Sequence, residues 1–433
     1  MTPLGWPGIA RLALVQSAIG AMVAMATSLL NRVMVVEYAL PAAIPAGLVA
    51  WHYAVQLSRP IWGHGSDRGA RRTPWIIGGM ALLYAGLMCA VAAVAMFGMR
   101  GLGGAVLALA GFTLIGAGVG AAGTSLLALL ATRVAPARRA SAAAITWVMM
   151  IFGIVVATAV AGQLLDPFSP QRLAYVVAGV GAAAMLAALI GVWRVEGASF
   201  SPAWASPEHQ PQAFGAALSE MLDDPDARQF TGFVFLSMLA YSMQDLILEP
   251  YAGLFFGYTA GQSTSLSSVQ HGGVLLGMIL AGVGGSAFGG GGTSQAMRRW
   301  IVGGCLGSAL AIILLGIAAM VGTGWPLALN VWLLGFANGV FAVAAIGAMM
   351  GLAGAAGPNR EGMRMGVWGA AQAVAFGLGG LSGAVAVDLL RSLTWVAASS
   401  FSFVFVFEGG LFLVAAWLAA GMGRSTMMRE VTA

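Results

Sequence analysis

The sequence contains no lysine, and charged residues of all kinds make up only 8% of its 433 residues. Soluble domains usually carry roughly a quarter charged residues, so this scarcity excludes an ordinary soluble enzyme. The two cysteines, Cys89 and Cys305, each lie within an apolar run, and their spacing fits no metal site. The sequence also lacks a phosphate-binding loop and a nucleophile elbow, so we expect no enzymatic activity.

Apolar residues, in contrast, make up 59% of the chain, and the mean hydropathy is +0.88. The solvent of most of the chain is therefore lipid, and the length suits about twelve spans of roughly 20 residues each. Such segments are too long for barrel strands, so the class predicted is an all-α membrane protein of twelve transmembrane helices. The predicted spans are residues 9–37, 42–62, 74–97, 103–131, 139–164, 172–193, 229–257, 265–289, 299–321, 325–352, 363–389 and 395–421.

The positive charge is carried by arginines in small clusters between the apolar runs, which indicates topology rather than a nucleic-acid surface. Every second loop is rich in arginine, whereas the loops on the opposite side of the membrane hold only Arg100, Arg172 and Arg391. The positive-inside rule predicts that the rich side is cytoplasmic, with an uncleaved first span and both termini on that side. The rich loops hold Arg68, Arg71, Arg72, Arg133, Arg138, Arg139, Arg298, Arg299, Arg360 and Arg364.

One long polar stretch, from Glu196 to Arg228, interrupts the apolar pattern. Three prolines prevent a regular helix in its first part, whereas residues Phe214 to Leu222 alternate at helical spacing. We therefore predict an N-terminal six-helix half (1–193), a cytoplasmic linker with a short surface helix (194–228) and a C-terminal six-helix half (229–433).

The loop after the second span resembles the signature that members of the major facilitator superfamily carry between helices two and three. Glycine, aspartate and arginines match it, although Ala70 stands where the pattern has glycine. The aspartate can cap or pair with a neighbouring helix end, and the arginines hold the loop in the cytoplasm. The alternative is a generic positive loop. The matching residues are Gly63, Asp67, Arg68, Arg71 and Arg72.

Spans one and seven contain four charged residues. Inserting a charged side chain at the centre of a spanning helix costs roughly 2.5–3.5 kcal/mol of free energy. Asp245 and Glu249 are four residues apart on one helical face, so either one is protonated or a cation lies between them. Arg32 and Glu37 are about 140° apart around a regular helix and poorly placed to pair. In a facilitator fold, spans one and seven face each other. We therefore expect Arg32 to pair with Asp245 or Glu249 and to latch the outer ends of the two halves; a static buried pair is the alternative.

Each half also carries a histidine early in its second span, His52 and His271. A neutral imidazole in lipid is a good axial ligand for a metal in a planar macrocycle. It is equally an ordinary hydrogen-bonding group between helices, and the residues alone leave both readings open.

Several longer segments together resemble the PucC/LhaA family, the bacteriochlorophyll-delivery branch of the major facilitator superfamily in phototrophic bacteria. The resemblance runs along most of the chain and is strongest in spans one to three, seven and eight. The segments are Leu30–Glu37, His52–Gln56, Arg59–Gly63, Arg72–Gly79, Gln244–Tyr251, Gly261–Leu266 and Gln270–Met278.

This resemblance implies an assembly factor for light-harvesting complexes that binds bacteriochlorophyll and delivers it to antenna polypeptides. It implies an intracytoplasmic photosynthetic membrane of the bacterial inner membrane system, and partners among the reaction-centre core, pigment-synthesis enzymes and membrane insertase. It favours His52 or His271 as the ligand of the pigment magnesium, with Gln56 as a further candidate. We expect the protein to bind no other metal. The alternatives are a proton-coupled small-solute transporter, with Asp245 or Glu249 as proton site, and a pigment-free assembly scaffold.

Overall fold

The computed structural model describes residues 4–59, 62, 71–97, 102–134, 139–196, 223, 225–287, 294–355, 361–394 and 397–421. In these ranges every predicted span coincides with one helix. The helices are α1 (Trp6–Val36), α2 (Ala43–Gln56), α3 (Thr73–Phe97), α4 (Leu102–Arg133), α5 (Arg139–Leu164), α6 (Pro170–Val192), α7 (Pro225–Phe256), α8 (Ala260–Ala287), α9 (Ser294–Val321), α10 (Leu327–Ala355), α11 (Glu361–Thr394) and α12 (Ala397–Gly421).

Ten helices of the described part are long and apolar enough to cross a membrane, judged by length and composition. The two others are α2, which has 14 residues, and α8, whose first half is rich in serine, threonine and glutamine. The chain is therefore a multi-pass, all-helical membrane protein, as predicted. The surface helix predicted at 214–222 lies outside the described residues.

Helix α2 ends at Gln56, earlier than the predicted limit at residue 62. The Ser58 hydroxyl donates to the carbonyl oxygen of Val55 at 2.6 Å, and the amide nitrogens of Leu57 and Ser58 bond three residues back. Leu57 and Ser58 form a turn, and Arg59 after them is helical again. The local hydrogen bonds of Leu57 and Ser58 thus interrupt the helix at Gln56.

The chain divides into two compact units. The first contains Met1–Ala205 together with Asp245–His271, and the second contains Ser206–Gln244 together with Gly272–Ala433. The last part of α7 and the first part of α8 therefore belong with the first six helices. The two halves predicted from the linker, 1–193 and 229–433, stay a prediction about sequence organisation.

Glycines allow the helices of the first unit to pack closely. A Cβ atom added to Gly79 of α3 would lie 2.5 Å from the amide nitrogen of Ala122 in α4, and one on Gly86 would lie 2.6 Å from the carbonyl oxygen of Gly111. In the same unit α1 packs against α5 and α6. In the second unit α9 packs against α10 and α12, and Ser308 of α9 donates to Asn338 of α10 at 2.7 Å.

Helix α1 contains a wider π-helical turn at Met25–Leu30. The Thr27 hydroxyl donates back to the carbonyl oxygen of Val23 at 3.1 Å within it. Such turns often occur at functional sites because the extra residue changes the direction of the side chains that follow. Here the turn directly precedes Asn31 and Arg32, which are both 1% exposed.

Candidate functional site: a buried arginine cluster and two histidines

Arg32 makes three separate contacts within the first unit. Its Nε donates to the Ser263 hydroxyl at 3.0 Å, its Nη2 donates to the carbonyl oxygen of Tyr258 at 3.1 Å, and its Nη1 forms an ion pair with Glu37. We call Arg32, Glu37, Tyr258 and Ser263 the Arg32 cluster. It joins the end of α1 to the first turn of α8, which carries Ser263, and to Tyr258, which precedes that helix.

The prediction that Arg32 and Glu37 are poorly placed to pair is wrong. Glu37 lies where α1 ends, and the amide nitrogen of Tyr38 bonds to the carbonyl oxygen of Val33, five residues back, at 3.2 Å. This wider final turn brings residues five apart onto a common side, and the two long side chains close the remaining distance. Burial, together with the charge of Glu37, raises the pKa of Tyr38 above its ordinary value.

The predicted pairing of Arg32 with Asp245 or Glu249 is not formed in this structure, because Glu37 takes the ion pair. Glu249 is 3% exposed and lies near enough to Arg32 and Ser267 for an electrostatic effect. It has no hydrogen bond of acceptable geometry to either group or to any other described residue. Asp245 lies near enough to Tyr53 of α2 for an electrostatic effect between the two side chains.

Asp166, between α5 and α6, fixes the start of α8. Its carboxylate accepts hydrogen bonds from the Thr259 hydroxyl and from the amide nitrogen of Gly261, the latter at 2.9 Å. Thr259 and Gln262 form a capping box, because each side chain bonds to the other residue's amide nitrogen, at 3.2 and 3.0 Å. The sequence analysis missed Asp166; the Thr-x-x-Gln pattern at Thr259 was the signal for the helix start, but nothing signalled its distant partner.

Replacing Asp166 by alanine is expected to destabilise the first unit by about 1–3 kcal/mol, since two hydrogen bonds to a carboxylate are lost. Thermal unfolding of the full chain in detergent measures the effect. Asp166→Asn, which keeps one acceptor oxygen, is the matched control and should lose less. Equal melting temperatures for wild type and Asp166→Ala would show that the contact contributes nothing.

A cavity of about 520 Å³ opens beside the Arg32 cluster. Arg32, Glu37 and Asp166 contribute the charged groups of its wall, and Val36, Phe168 and Tyr258 contribute apolar surface. The wall therefore combines an ion pair with hydrophobic contacts, as small-molecule sites commonly do.

His52 and Gln56, two of the predicted ligands, bind each other in α2. The Nδ1 of His52 lies 3.0 Å from the carbonyl oxygen of Val49, and a carbonyl only accepts, so Nδ1 carries the proton. The Nε2 lone pair then accepts from the Gln56 amide nitrogen at 2.8 Å. Arg59 donates to the amide oxygen of Gln56. In this arrangement both candidate ligand atoms are already occupied.

His271, on α8, is arranged differently. Its Nδ1 lies 2.9 Å from the carbonyl oxygen of Ser267, which places the proton on Nδ1. Its Nε2 has no hydrogen-bond partner among the described residues, and the side chain is half-buried rather than enclosed. A backbone carbonyl bound to one imidazole nitrogen, with the other left as a lone pair, is the usual arrangement of a metal-ligating histidine.

Three residues of the predicted facilitator motif, Gly63, Asp67 and Arg68, lie outside the described residues, whereas Arg71 and Arg72 are described. The carboxylate of Glu196 accepts from the amide nitrogens of Arg72 and Thr73, both at 2.8 Å, at the start of α3. An acid at a helix N-terminus satisfies unpaired amides and the helix dipole. The sequence analysis assigned Glu196 to the start of the linker and missed this role.

Comparison with known proteins gives a family for the chain. The family model described as PUCC protein matches residues 29–427. The chain belongs to this family. It is 50% identical over 419 residues to the "Bacteriochlorophyll synthase 44.5 kDa chain" of Rhodobacter capsulatus, covering 97% of this chain and 96% of that one. It is 30% identical to "Protein PucC" of Cereibacter sphaeroides, covering 88% and 84%.

Solved transporter structures share the fold of this PUCC family member. A peptide transporter POT mutant in complex with sulfate matches with a TM-score of 0.70 at 14% identity, covering 97% of this chain and 96% of that one. A D-xylose-proton symporter matches with a TM-score of 0.68 at 17% identity, covering 96% and 97%. At such identities the likeness shows the fold alone, which is the major-facilitator fold predicted from the sequence.

Proposed function

We propose that this protein is an assembly factor that binds bacteriochlorophyll and delivers it to the antenna polypeptides of light-harvesting complexes. Its PUCC family membership and the name of its Rhodobacter capsulatus relative, a bacteriochlorophyll synthase chain, support a role with photosynthetic pigment. The geometry of His271 is the single structural observation that carries the binding step.

The bacteriochlorophyll magnesium takes one or two axial ligands, and a neutral imidazole nitrogen is a good one. His271 meets this need because its proton is held on Nδ1 by Ser267 and its Nε2 lone pair is unoccupied by any described residue. Its half-buried position in α8 suits a hydrophobic macrocycle that reaches the protein from lipid. Bacteriochlorophyll here is cargo rather than a resident cofactor.

His52 and Gln56 are the weaker ligand candidates, because they bind each other and Arg59 fixes the Gln56 amide. For His52 to ligate magnesium, Gln56 would first have to leave its Nε2. This exchange would cost a buried hydrogen bond, since His52 is 1% exposed.

The same proposal places the chain in the intracytoplasmic photosynthetic membrane, with both termini in the cytoplasm. Antenna polypeptides would be its main partners, with the reaction-centre core, pigment-synthesis enzymes and the insertase close by. The arginine-rich loops support this orientation.

The proposed role is not catalytic, although the name of the Rhodobacter capsulatus relative includes the word synthase. The groups at the candidate site are a ligating imidazole and ion-paired side chains, which suit holding a pigment rather than changing it. Membranes that lack this protein should still convert precursors to bacteriochlorophyll while antenna complexes fail to accumulate. Loss of pigment synthesis itself would favour a synthase subunit.

The decisive measurement is the absorbance spectrum of full-length protein purified gently from phototrophically grown cells. Bound bacteriochlorophyll in defined proportion to protein is the expected result. Colourless protein that drives proton-dependent solute uptake would instead favour a transporter, and colourless protein that co-purifies with antenna polypeptides would favour a scaffold.

A further inference from the structure

Four oxygen atoms around the last part of α7 are buried and accept no hydrogen bond from any described residue. They are Oδ1 of Asn31, Oδ1 of Asp245 and both carboxylate oxygens of Glu249. The Asn31 amide nitrogen donates to the carbonyl oxygen of Leu246 at 2.8 Å. Leu246 lies between Asp245 and Glu249 on α7, so this bond holds the Asn31 amide against the turn that carries both acids.

The orientation of the Asn31 amide is fixed, because a carbonyl oxygen accepts only from the amide nitrogen. Its oxygen is therefore an acceptor without a donor, and Asn31 is 1% exposed. An unpaired buried acceptor destabilises the folded state, and an unpaired buried carboxylate destabilises it more. Four such oxygens on two adjacent helices need a positive partner.

Arg32 does not supply that partner. Three of its five N–H groups donate to Ser263, Tyr258 and Glu37, and none donates to the four oxygens. The charges of Arg32, Glu37, Asp245 and Glu249 would sum to −2 if all four were ionised. In a spanning segment this excess is expensive, because no bulk water screens it.

We propose that Glu249, Asp245 and Asn31 form a binding site for a monovalent cation, either a proton or a sodium ion. The donor set consists of carboxylate and amide oxygens, which suit a hard cation rather than a soft one. No group of three or more histidine, cysteine or acidic side chains in the described ranges forms a transition-metal site. A bound proton or sodium ion reduces the charge excess of the four side chains from −2 to −1.

Cation binding at this site is coupled to the Arg32 cluster. With the cation bound, Glu249 needs no other partner and Arg32 holds Glu37. Without it, Glu249 becomes an uncompensated buried charge, and Arg32 is a positive group that acts on it electrostatically. Arg32 then turns towards Glu249 and leaves Glu37, Ser263 and the carbonyl of Tyr258. The cation thus controls the contact between the end of α1 and the start of α8.

This coupling goes beyond pigment binding, because it does not involve the Nε2 atom of His271. Other titratable or charged groups on the elements around Glu249 affect the response to pH as well. They are Arg32, Glu37, Tyr38, His52, Tyr53, Arg59, Asp166, Arg172, Asp245, Tyr251, Tyr258 and His271.

The experiment follows thermal unfolding of the full chain in detergent or nanodiscs. One arm compares sodium chloride with choline chloride at constant pH and ionic strength, and the other varies pH without sodium. A sodium site predicts a melting temperature about 2–4 °C higher in sodium chloride. A proton site predicts a melting temperature that falls by a similar amount, about 2–4 °C, as pH rises, because loss of the proton leaves a buried charge.

Glu249→Gln, which resembles the protonated side chain, should abolish whichever response the wild type shows. Glu37→Gln releases Arg32 to compensate Glu249, so it should weaken the response without removing the site. Glu408→Gln changes a fully buried acid of the second unit and should leave the response intact. A wild type that responds to neither cation, or a Glu249→Gln protein that responds as the wild type does, overturns the proposal.

Discussion

Replacing His271 by alanine is expected to reduce the bacteriochlorophyll that co-purifies with the protein by about tenfold or more, since even groups that only support a metal ligand change affinity by this factor. His52→Ala should retain most of the pigment. The reason is the state of each Nε2 atom: that of His52 accepts from Gln56 at 2.8 Å, whereas that of His271 binds no described residue. The ratio of pigment absorbance to protein in matched preparations measures both effects.

A rescue experiment separates ligation from folding. His271→Gly removes the imidazole, and free imidazole added during purification should restore pigment if the ring acts as an axial ligand. Unrescued loss of pigment together with a lowered melting temperature would indicate a structural role instead. Loss of pigment in His52→Ala but not in His271→Ala would assign the ligand to α2, and the bond between His52 and Gln56 would then have to open during binding.

The twelve helices could be predicted from the sequence because lipid demands long apolar segments with internally satisfied backbone groups. The arginine pattern and the polar stretch also predict an even number of spans and a division between the sixth and seventh, and this division stays a prediction. Boundaries were less accurate where local chemistry acts, as at Gln56, where the hydrogen bonds of Leu57 and Ser58 interrupt the helix.

The Arg32 cluster shows which part of a site sequence periodicity misses. Four charged residues were identified because each is costly in a membrane. The pairing of Arg32 with Glu37 was not predicted. It depends on a π-helical turn before Arg32 and on a wide final turn at Glu37, and an ideal helix has neither. Ser263 and Asp166 were missed because short polar side chains in a polar segment carry no distinctive signal until a distant helix lies beside them.

The contact between α3 and α4 should tolerate almost no added side chain at Gly79. A Cβ atom there would lie 2.5 Å from the amide nitrogen of Ala122 and 2.9 Å from the carbonyl oxygen of Gly118. Both are backbone atoms of a helix and cannot rotate away, so the helices must separate. Gly79→Val is expected to destabilise the first unit by about 3 kcal/mol or more, beyond the usual cost of overpacking a core. The yield of monodisperse protein in size-exclusion chromatography should fall several-fold.

Gly78, the preceding residue, is the matched control for this substitution. A Cβ atom there meets no atom within 4 Å, and the position is exposed. Gly78→Val introduces the same β-branched side chain into the same helix, so its effect on helix propensity is shared and only the contact with α4 differs. We expect Gly78→Val to give close to wild-type yield and melting temperature. Similar losses in both variants would mean that backbone preference, and not the close approach of α3 to α4, determines the need for glycine here.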